Sequence, residues 1–280
     1  MEIKTVCVCG AGTMGSGIAQ VFVTAGYDTI LFDVSRDVLE KGVKSIESAL
    51  SRDVERGKLS VSQKQQSLQR LTAGVRVPAS AEVFIEAIVE NFEAKVALFT
   101  ELMKSRSDEV LFCSNTSSLS LTEMARQLPY KENLLGLHFF NPAPVMKLVE
   151  VVKTEYTSDE VLNKASKLVQ KLGKTMVVCK DAPGFVVNRV ARPFYLEALR
   201  IAEEQQISFE CIDSILEAQG FKMGPFKLMD LIGNDINYAV STSVYQQLNY
   251  PERLKPSVLQ KEKIERGELG RKTGQGFYKY

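Results

Sequence analysis

The sequence predicts an α/β protein: a Rossmann-like, doubly wound, mostly parallel sheet with an antiparallel extension, followed by a smaller all-helical domain. Three observations predict it. A glycine-rich turn, Gly10-Ala11-Gly12-Thr13-Met14-Gly15, joins a short apolar run to a helical pattern. Strand-like and helix-like segments then alternate. After Asp181-Ala182-Pro183-Gly184 the periodic segments are all helical until the final few residues.

Composition sets the bounds. The chain has 280 residues, with 45% hydrophobic and 25% charged, enough to fold as two modest domains. Thirty-five Lys and Arg against 34 Asp and Glu leave a net charge of +1, without the basic footprint of a nucleic-acid binder. No apolar run reaches the roughly 18 residues that span a bilayer. The expectation is a soluble, cytoplasmic protein with neither nucleic-acid nor membrane partners. Of five cysteines, Cys7, Cys9, Cys113 and Cys179 sit in strand-like runs and Cys211 does not; without C-x-x-C spacing, all read as reduced, buried thiols. His138 is the one histidine, so a multi-histidine metal site is excluded and no metal is expected.

Taken in order, residues 4–9 form the first strand, and Ile18, Ala19, Phe22 and Ala25 recur at helical spacing until Gly26 supplies a C-cap. A second strand, 29–32, ends at Asp33. An amphipathic helix near 37–56 has apolar positions that include Val38, Leu39, Val43, Ile46, Leu50 and Val54. Further strands are predicted at 83–89, 110–113 and 134–140. The run 148–152 follows the last of these across a Pro-containing loop too short for a parallel crossover, so this pair should be antiparallel. Thr157-x-x-Glu160 reads as a capping box for a helix stopped at Gly173, and 176–179 as the last strand. Residues 1–183 then form one domain and 184–280 the helical one, with helices at 185–204, kinked at Pro193, and at 209–218.

Strand, glycine turn, helix, strand and acid make a complete dinucleotide-binding unit. Gly10 permits the tight turn, Gly12 lets backbone approach a pyrophosphate, Gly15 permits close helix packing, and the helix N-terminus at Thr13 and Met14 faces the anion. Asp33 can accept both adenine-ribose hydroxyls and would repel a 2′-phosphate, which favours NAD over NADP.

Oxidising an alcohol with NAD needs a base that takes the hydroxyl proton, and His138 is the side chain suited to it. A lone histidine in an apolar strand is also an ordinary core residue. If the hairpin loop centres near Pro144, residues 138 and 150 face each other, placing Glu150 where it can orient the imidazole; on pattern alone Glu150 equally suits the solvent side of an edge strand. Ser114-Asn115-Thr116-Ser117-Ser118 follows a strand at the sheet edge where open α/β folds bind ligands, and reads either as substrate contacts or as helix capping. Arg52 and Arg56, at i, i+4, make either a fork for phosphate or a solvated helix face.

Across essentially its whole length the chain resembles the short-chain L-3-hydroxyacyl-CoA dehydrogenase family, 3-hydroxybutyryl-CoA dehydrogenases included. The matching stretches include G-A-G-T-M-G-S-G-I-A-Q (10–20), E-A-I-V-E-N (86–91), S-N-T-S-S-L (114–119), H-F-F-N-P-A-P-V-M-K-L-V-E-V (138–151), P-G-F-V-V-N-R (183–189) and M-G-P-F (223–226). The resemblance implies an NAD-dependent enzyme acting on acyl-CoA, with His138 as acid/base, Glu150 as its orienting partner, Ser117 as donor to the substrate 3-oxygen and Asn188 as a polar anchor. It further implies that Glu90, Lys95, Asn141 and Lys272 approach the cofactor, that Arg52 and Arg56 meet coenzyme A, and that the helical domain forms a homodimer. Two departures bear on substrate. Lys227 stands where the family commonly has Glu, and Gly233-Asn234-Asp235-Ile236-Asn237 resembles dehydrogenases acting on 3-hydroxyadipyl-CoA. Lens crystallins resemble the family too, which keeps a non-catalytic nucleotide-binding protein as the rival from another class.

Overall fold

A computed structural model describes residues 3–77, 81–104 and 110–280. The chain divides into two compact units, Met1–Asp181 and Ala182–Tyr280. In the first, eight strands form one sheet in the order β3-β2-β1-β4-β5-β6-β7-β8. They are β1 (Thr5–Cys9), β2 (Asp28–Phe32), β3 (Leu71–Gly74), β4 (Val83–Glu86), β5 (Leu111–Ser114), β6 (Leu134–Phe139), β7 (Leu148–Lys153) and β8 (Thr175–Lys180). Every neighbouring pair is parallel except β6 with β7.

Helices cover both faces, as a parallel sheet requires. They are α1 (Thr13–Thr24), α2 (Arg36–Glu55), α3 (Val61–Gln69), α4 (Phe92–Met103), α5 (Leu121–Arg126) and α6 (Asp159–Lys171). Alternation along β1 shows the division: Val6 and Val8 join a core with Ile18, Phe22 and Ile46, while Cys7 and Cys9 join another with Phe84, Phe99 and Phe112. Strand order reverses between β1 and β4, which opens the ligand crevice characteristic of doubly wound sheets at the carboxyl ends of those strands.

Several predicted elements are corrected. The helix after β7 is capped by Ser158, whose hydroxyl accepts from the Val161 amide, whereas Thr157 turns inward and donates to the Leu134 carbonyl at 2.7 Å. A buried hydroxyl must find a partner, and that need outranks the capping pattern. The strand at 83–89 stops at Glu86, whose carboxylate accepts from the Ile88 amide and so turns the chain. Helix α3, opened by a Ser60–Gln63 capping box, and strand β3 were not predicted; β3 is four residues long with two exposed, too short to show a period. The strand β7 is not an edge, because β8 covers it.

The second unit is helical: α7 (Val187–Gln205), α8 (Phe209–Ala218), α9 (Pro225–Ile232), α10 (Asn234–Gln247) and α11 (Val258–Glu265). Helix α7 begins at Val187 rather than Phe185, because Gly184 and Phe185 both have positive φ. Pro193 lies inside it. The chain's last residues are fastened by two buried carboxylates. Asp230 accepts from the Phe277 and Tyr278 amides, each at 2.9 Å, and Asp213 accepts from the Tyr278 hydroxyl at 2.8 Å. Lys227 pairs with Glu217 at 3.0 Å. None of the five cysteines forms a disulfide; Cys7, Cys9 and Cys113 are buried as expected, but Cys179 is only half-buried and Cys211 is exposed. Among the described residues no helix is long and apolar enough to cross a membrane, and no group of three or more acidic, His or Cys side chains is placed to hold a metal.

Candidate active site

The glycine turn sits where β1 meets α1. Gly10 has φ +105°, and a Cβ there would lie 2.5 Å from the Ala87 carbonyl oxygen; one at Gly15 would lie 1.7 Å from the Gly10 carbonyl oxygen. Neither position accepts a side chain. Gly12 differs, since a Cβ there would meet nothing within 4 Å. It opens α1 without any side-chain cap, and Gly12 and Thr13 are exposed, leaving the first amides of the helix to an outside acceptor. Asp33, just past β2, accepts from the Ala11 amide at 2.8 Å and the Ser35 amide at 2.9 Å. Those bonds fix its carboxylate beside the turn, and each oxygen keeps capacity for a further donor.

A second cluster gathers at the carboxyl ends of β4 and β5. Lys95, on α4, is 1% exposed, and its ammonium lies 2.5 Å from Glu86 and 3.1 Å from Glu90. It is therefore not the surface charge its residue type suggests. Glu86 is fully buried and also accepts from the Ser114 hydroxyl at 2.5 Å. Burial raises its carboxyl above the usual range, offset only in part by Lys95. Burial pushes Glu90 the same way, but the charge of Lys95 and donors from Thr116, Lys95 and Ser117 outweigh it and hold that carboxyl low. Glu90 organises the turn after β5, accepting from the Thr116 hydroxyl at 2.6 Å, the Ser117 amide at 3.1 Å and the Ser118 hydroxyl at 3.1 Å. Asn115 in the same turn accepts from the Phe139 amide at 2.8 Å and ties it to β6.

On β6, His138 is the register partner of Glu150 on β7. Its Nδ1 lies 2.7 Å from Glu150 Oε2, with His138 6% exposed and Glu150 fully buried. The solvent-side alternative for Glu150 fails because β8 closes over it. A carboxylate accepting at Nδ1 fixes the tautomer in which Nε2 is the basic nitrogen. The Phe140 ring packs 4.5 Å from the imidazole centroid. Cys179, on neighbouring β8, is no rival nucleophile: burial, with the charges of Glu150 and Asp181, pushes its thiol up to about 11.

Arg52 is exposed on α2 and Arg56 forms its C-cap. Both line a cavity of about 340 Å³ whose other walls include Thr13, Gln20, Asn141 and Pro144. The first unit thus carries the glycine turn with Asp33, the Lys95–Glu90–Ser117 cluster, the His138–Glu150 pair, and Asn141 with the two arginines around that cavity. Asn188 and Lys272 belong to the second unit, where Lys272 pairs with Asp235 at 2.6 Å. Sequence reasoning missed Glu86 and Asn115. A carboxylate ending an otherwise apolar V-F-I-E strand was the available signal for Glu86.

Family models agree with this geometry. One described as 3-hydroxyacyl-CoA dehydrogenase, NAD binding domain, matches residues 5–182, and another described as 3-hydroxyacyl-CoA dehydrogenase, C-terminal domain, matches residues 184–280. The chain belongs to the 3-hydroxyacyl-CoA dehydrogenase family. It is 43% identical to 3-hydroxyadipyl-CoA dehydrogenase of Escherichia coli (strain K12), over 99% of this chain and 59% of that protein. The chain therefore spans about three fifths of that relative. It is 38% identical to the mitochondrial hydroxyacyl-coenzyme A dehydrogenase of Sus scrofa, over 99% of this chain and 91% of that one. A crystal structure of (S)-3-hydroxybutyryl-CoA dehydrogenase from Ralstonia eutropha superposes with a TM-score of 0.94 at 36% identity, over 100% of this chain and 99% of that chain.

The cofactor of this family's N-terminal domain is NAD, and the residues present fit it. The open space above Gly12 and the uncapped amides of α1 suit a pyrophosphate, and Asp33 suits two ribose hydroxyls. Because that space is empty of protein, Gly12→Val should fold normally yet lose NAD affinity by about two decades or more as backbone approach is blocked. Thermal melting and NADH fluorescence titration check this, and normal affinity would remove the turn from the cofactor site. A pH effect follows from Glu90. Its folded carboxyl is held below the ordinary 4.5, so the interaction stabilises the fold above that value and is lost as pH falls through the folded one. Melting temperatures of the parent and Glu90→Gln should therefore differ most near neutrality and converge below about pH 4.5; a constant difference would contradict the ion-pair account.

Proposed function

We propose that the protein is an NAD-dependent (3S)-3-hydroxyacyl-CoA dehydrogenase, interconverting the C3 alcohol of an acyl-CoA and its ketone. The observation that carries the reading is the buried His138–Glu150 pair, 2.7 Å apart across the antiparallel ladder. In the oxidising direction His138 Nε2 removes the hydroxyl proton, and Glu150 stabilises the imidazolium that forms. Bound NAD supplies the hydride acceptor. Ser117, on the turn that Glu90 organises, donates to the C3 oxygen, and Asn188 anchors the same end of the substrate. Lys95 keeps Glu90 ionised and in place, and through it acts on the nicotinamide ribose; Asn141 and Lys272 contribute further cofactor contacts.

Arg52 and Arg56, beside the 340 Å³ cavity, are suited to the phosphates of coenzyme A. Short chains such as 3-hydroxybutyryl are the first substrate reading. A dicarboxylic chain is the second, favoured by the Gly233–Asn237 stretch and by 43% identity to a 3-hydroxyadipyl-CoA dehydrogenase. The working unit is a cytoplasmic homodimer formed through the helical unit, on whose surface Val190, Ile215, Phe221, Ile236 and Val258 are exposed.

His138→Gln should lower kcat for acetoacetyl-CoA reduction by about two to four decades with little change in NADH affinity. Glu150→Gln should slow turnover and alter its pH profile. Retained turnover in the first variant, or an unmoved profile in the second, would exclude the respective role. Light scattering over a concentration series should return about twice the 31.2 kDa chain mass, and a monomer throughout would contradict the dimer.

A further inference from the structure

Arg192, on α7 of the helical unit, is 3% exposed. Its Nε donates to the Asn188 carbonyl at 3.0 Å, and its Nη1 donates to the Asn237 carbonyl at 2.9 Å and the Ser241 hydroxyl at 2.8 Å. The Tyr195 ring centroid lies 4.9 Å from its Cζ. All of these partners are neutral. No carboxylate among the described residues pairs with the guanidinium, and Nη2 has no hydrogen-bond partner there. Burial lowers the group to about 10, opposed by Tyr195, so it remains a cation near pH 7. An uncompensated buried charge is costly, and an apolar side chain of similar volume would serve packing alone at least as well.

Placement indicates what would balance that charge. Arg192 follows Asn188 by four residues on one helix, so the two share a face about 5–6 Å apart. If Asn188 holds the C3 end of the substrate, as the function proposed above has it, an acyl chain running along this face carries its C6 group toward Arg192: three carbon–carbon bonds of about 1.5 Å extend roughly 4 Å, which a hydrogen bond completes. We propose that Arg192 is a specificity-determining residue that receives, at Nη2, the terminal carboxylate of a dicarboxylic acyl-CoA. The competing role is a strap, since Arg192 joins α7 to α10 beside Pro193, where the proline ring removes a helical hydrogen bond.

The test compares 3-oxoadipyl-CoA with 3-oxohexanoyl-CoA, which has the same chain length and a methyl end, in the parent, Arg192→Met and Arg192→Lys. The parent should favour the dicarboxylic substrate in kcat/KM, Arg192→Met should cut the ratio of the two values by about 10- to 100-fold, and Arg192→Lys should restore part of it. A parent without preference, or variants that lower both values in proportion and leave the ratio unchanged, would overturn the proposal. Should Arg192→Met fail to fold, competitive inhibition of the parent by adipyl-CoA and hexanoyl-CoA decides: tighter inhibition by adipyl-CoA supports the assignment, and equal inhibition overturns it. A parent that reduces 3-oxohexanoyl-CoA without preferring the dicarboxylic chain loses this inference alone, whereas a parent inert toward both substrates loses the dehydrogenase reading with it.

Discussion

The hydrogen bond between His138 and Glu150 is the constraint on which the rest of the site depends. It exists because the sheet, parallel through six strands, reverses direction between β6 and β7 and sets residues 138 and 150 opposite each other. A carboxylate with no exposed surface would be expensive on its own; beside an imidazole it is partnered, and it selects which ring nitrogen can act as base. The final parallel strand β8 completes the arrangement by removing Glu150 from solvent. Chemistry and burial thus rest on the same departure from parallel order.

The carboxyl ends of β4 and β5 solve a related problem differently. Lys95 pairs with Glu86 and Glu90 together, and Glu90 then spends its remaining acceptor capacity on three donors of the 116–118 turn. Asn115 links that turn to the strand carrying His138. A polar network of this kind is worth its desolvation only when its members are satisfied, and here the members also set the position of Ser117.

Much of this was legible in the sequence because local patterns coincided with tertiary need. The glycine turn required by the βαβ crossing announced itself, since Gly10 and Gly15 tolerate no side chain. The hairpin arithmetic around Pro144 gave the 138–150 pairing because a short connection permits only one direction of return. Thr157 misled because a buried hydroxyl and a helix cap use the same residue types, and β3 escaped because four half-exposed residues carry no usable period.

Residue order alone determined the alternation of strands and helices, the dinucleotide turn with its acid at Asp33, the boundary near Pro183 and the opposition of His138 to Glu150, since each follows from short-range periodicity, loop length or backbone sterics. Only the tertiary structure decided that Lys95 is buried between two carboxylates, that β7 is an interior strand, that Cys211 is exposed, and that Arg192 lies buried without a counter-charge among the described residues. Those outcomes depend on which distant segments pack over a side chain, and desolvation is a property of the surroundings that no local pattern encodes.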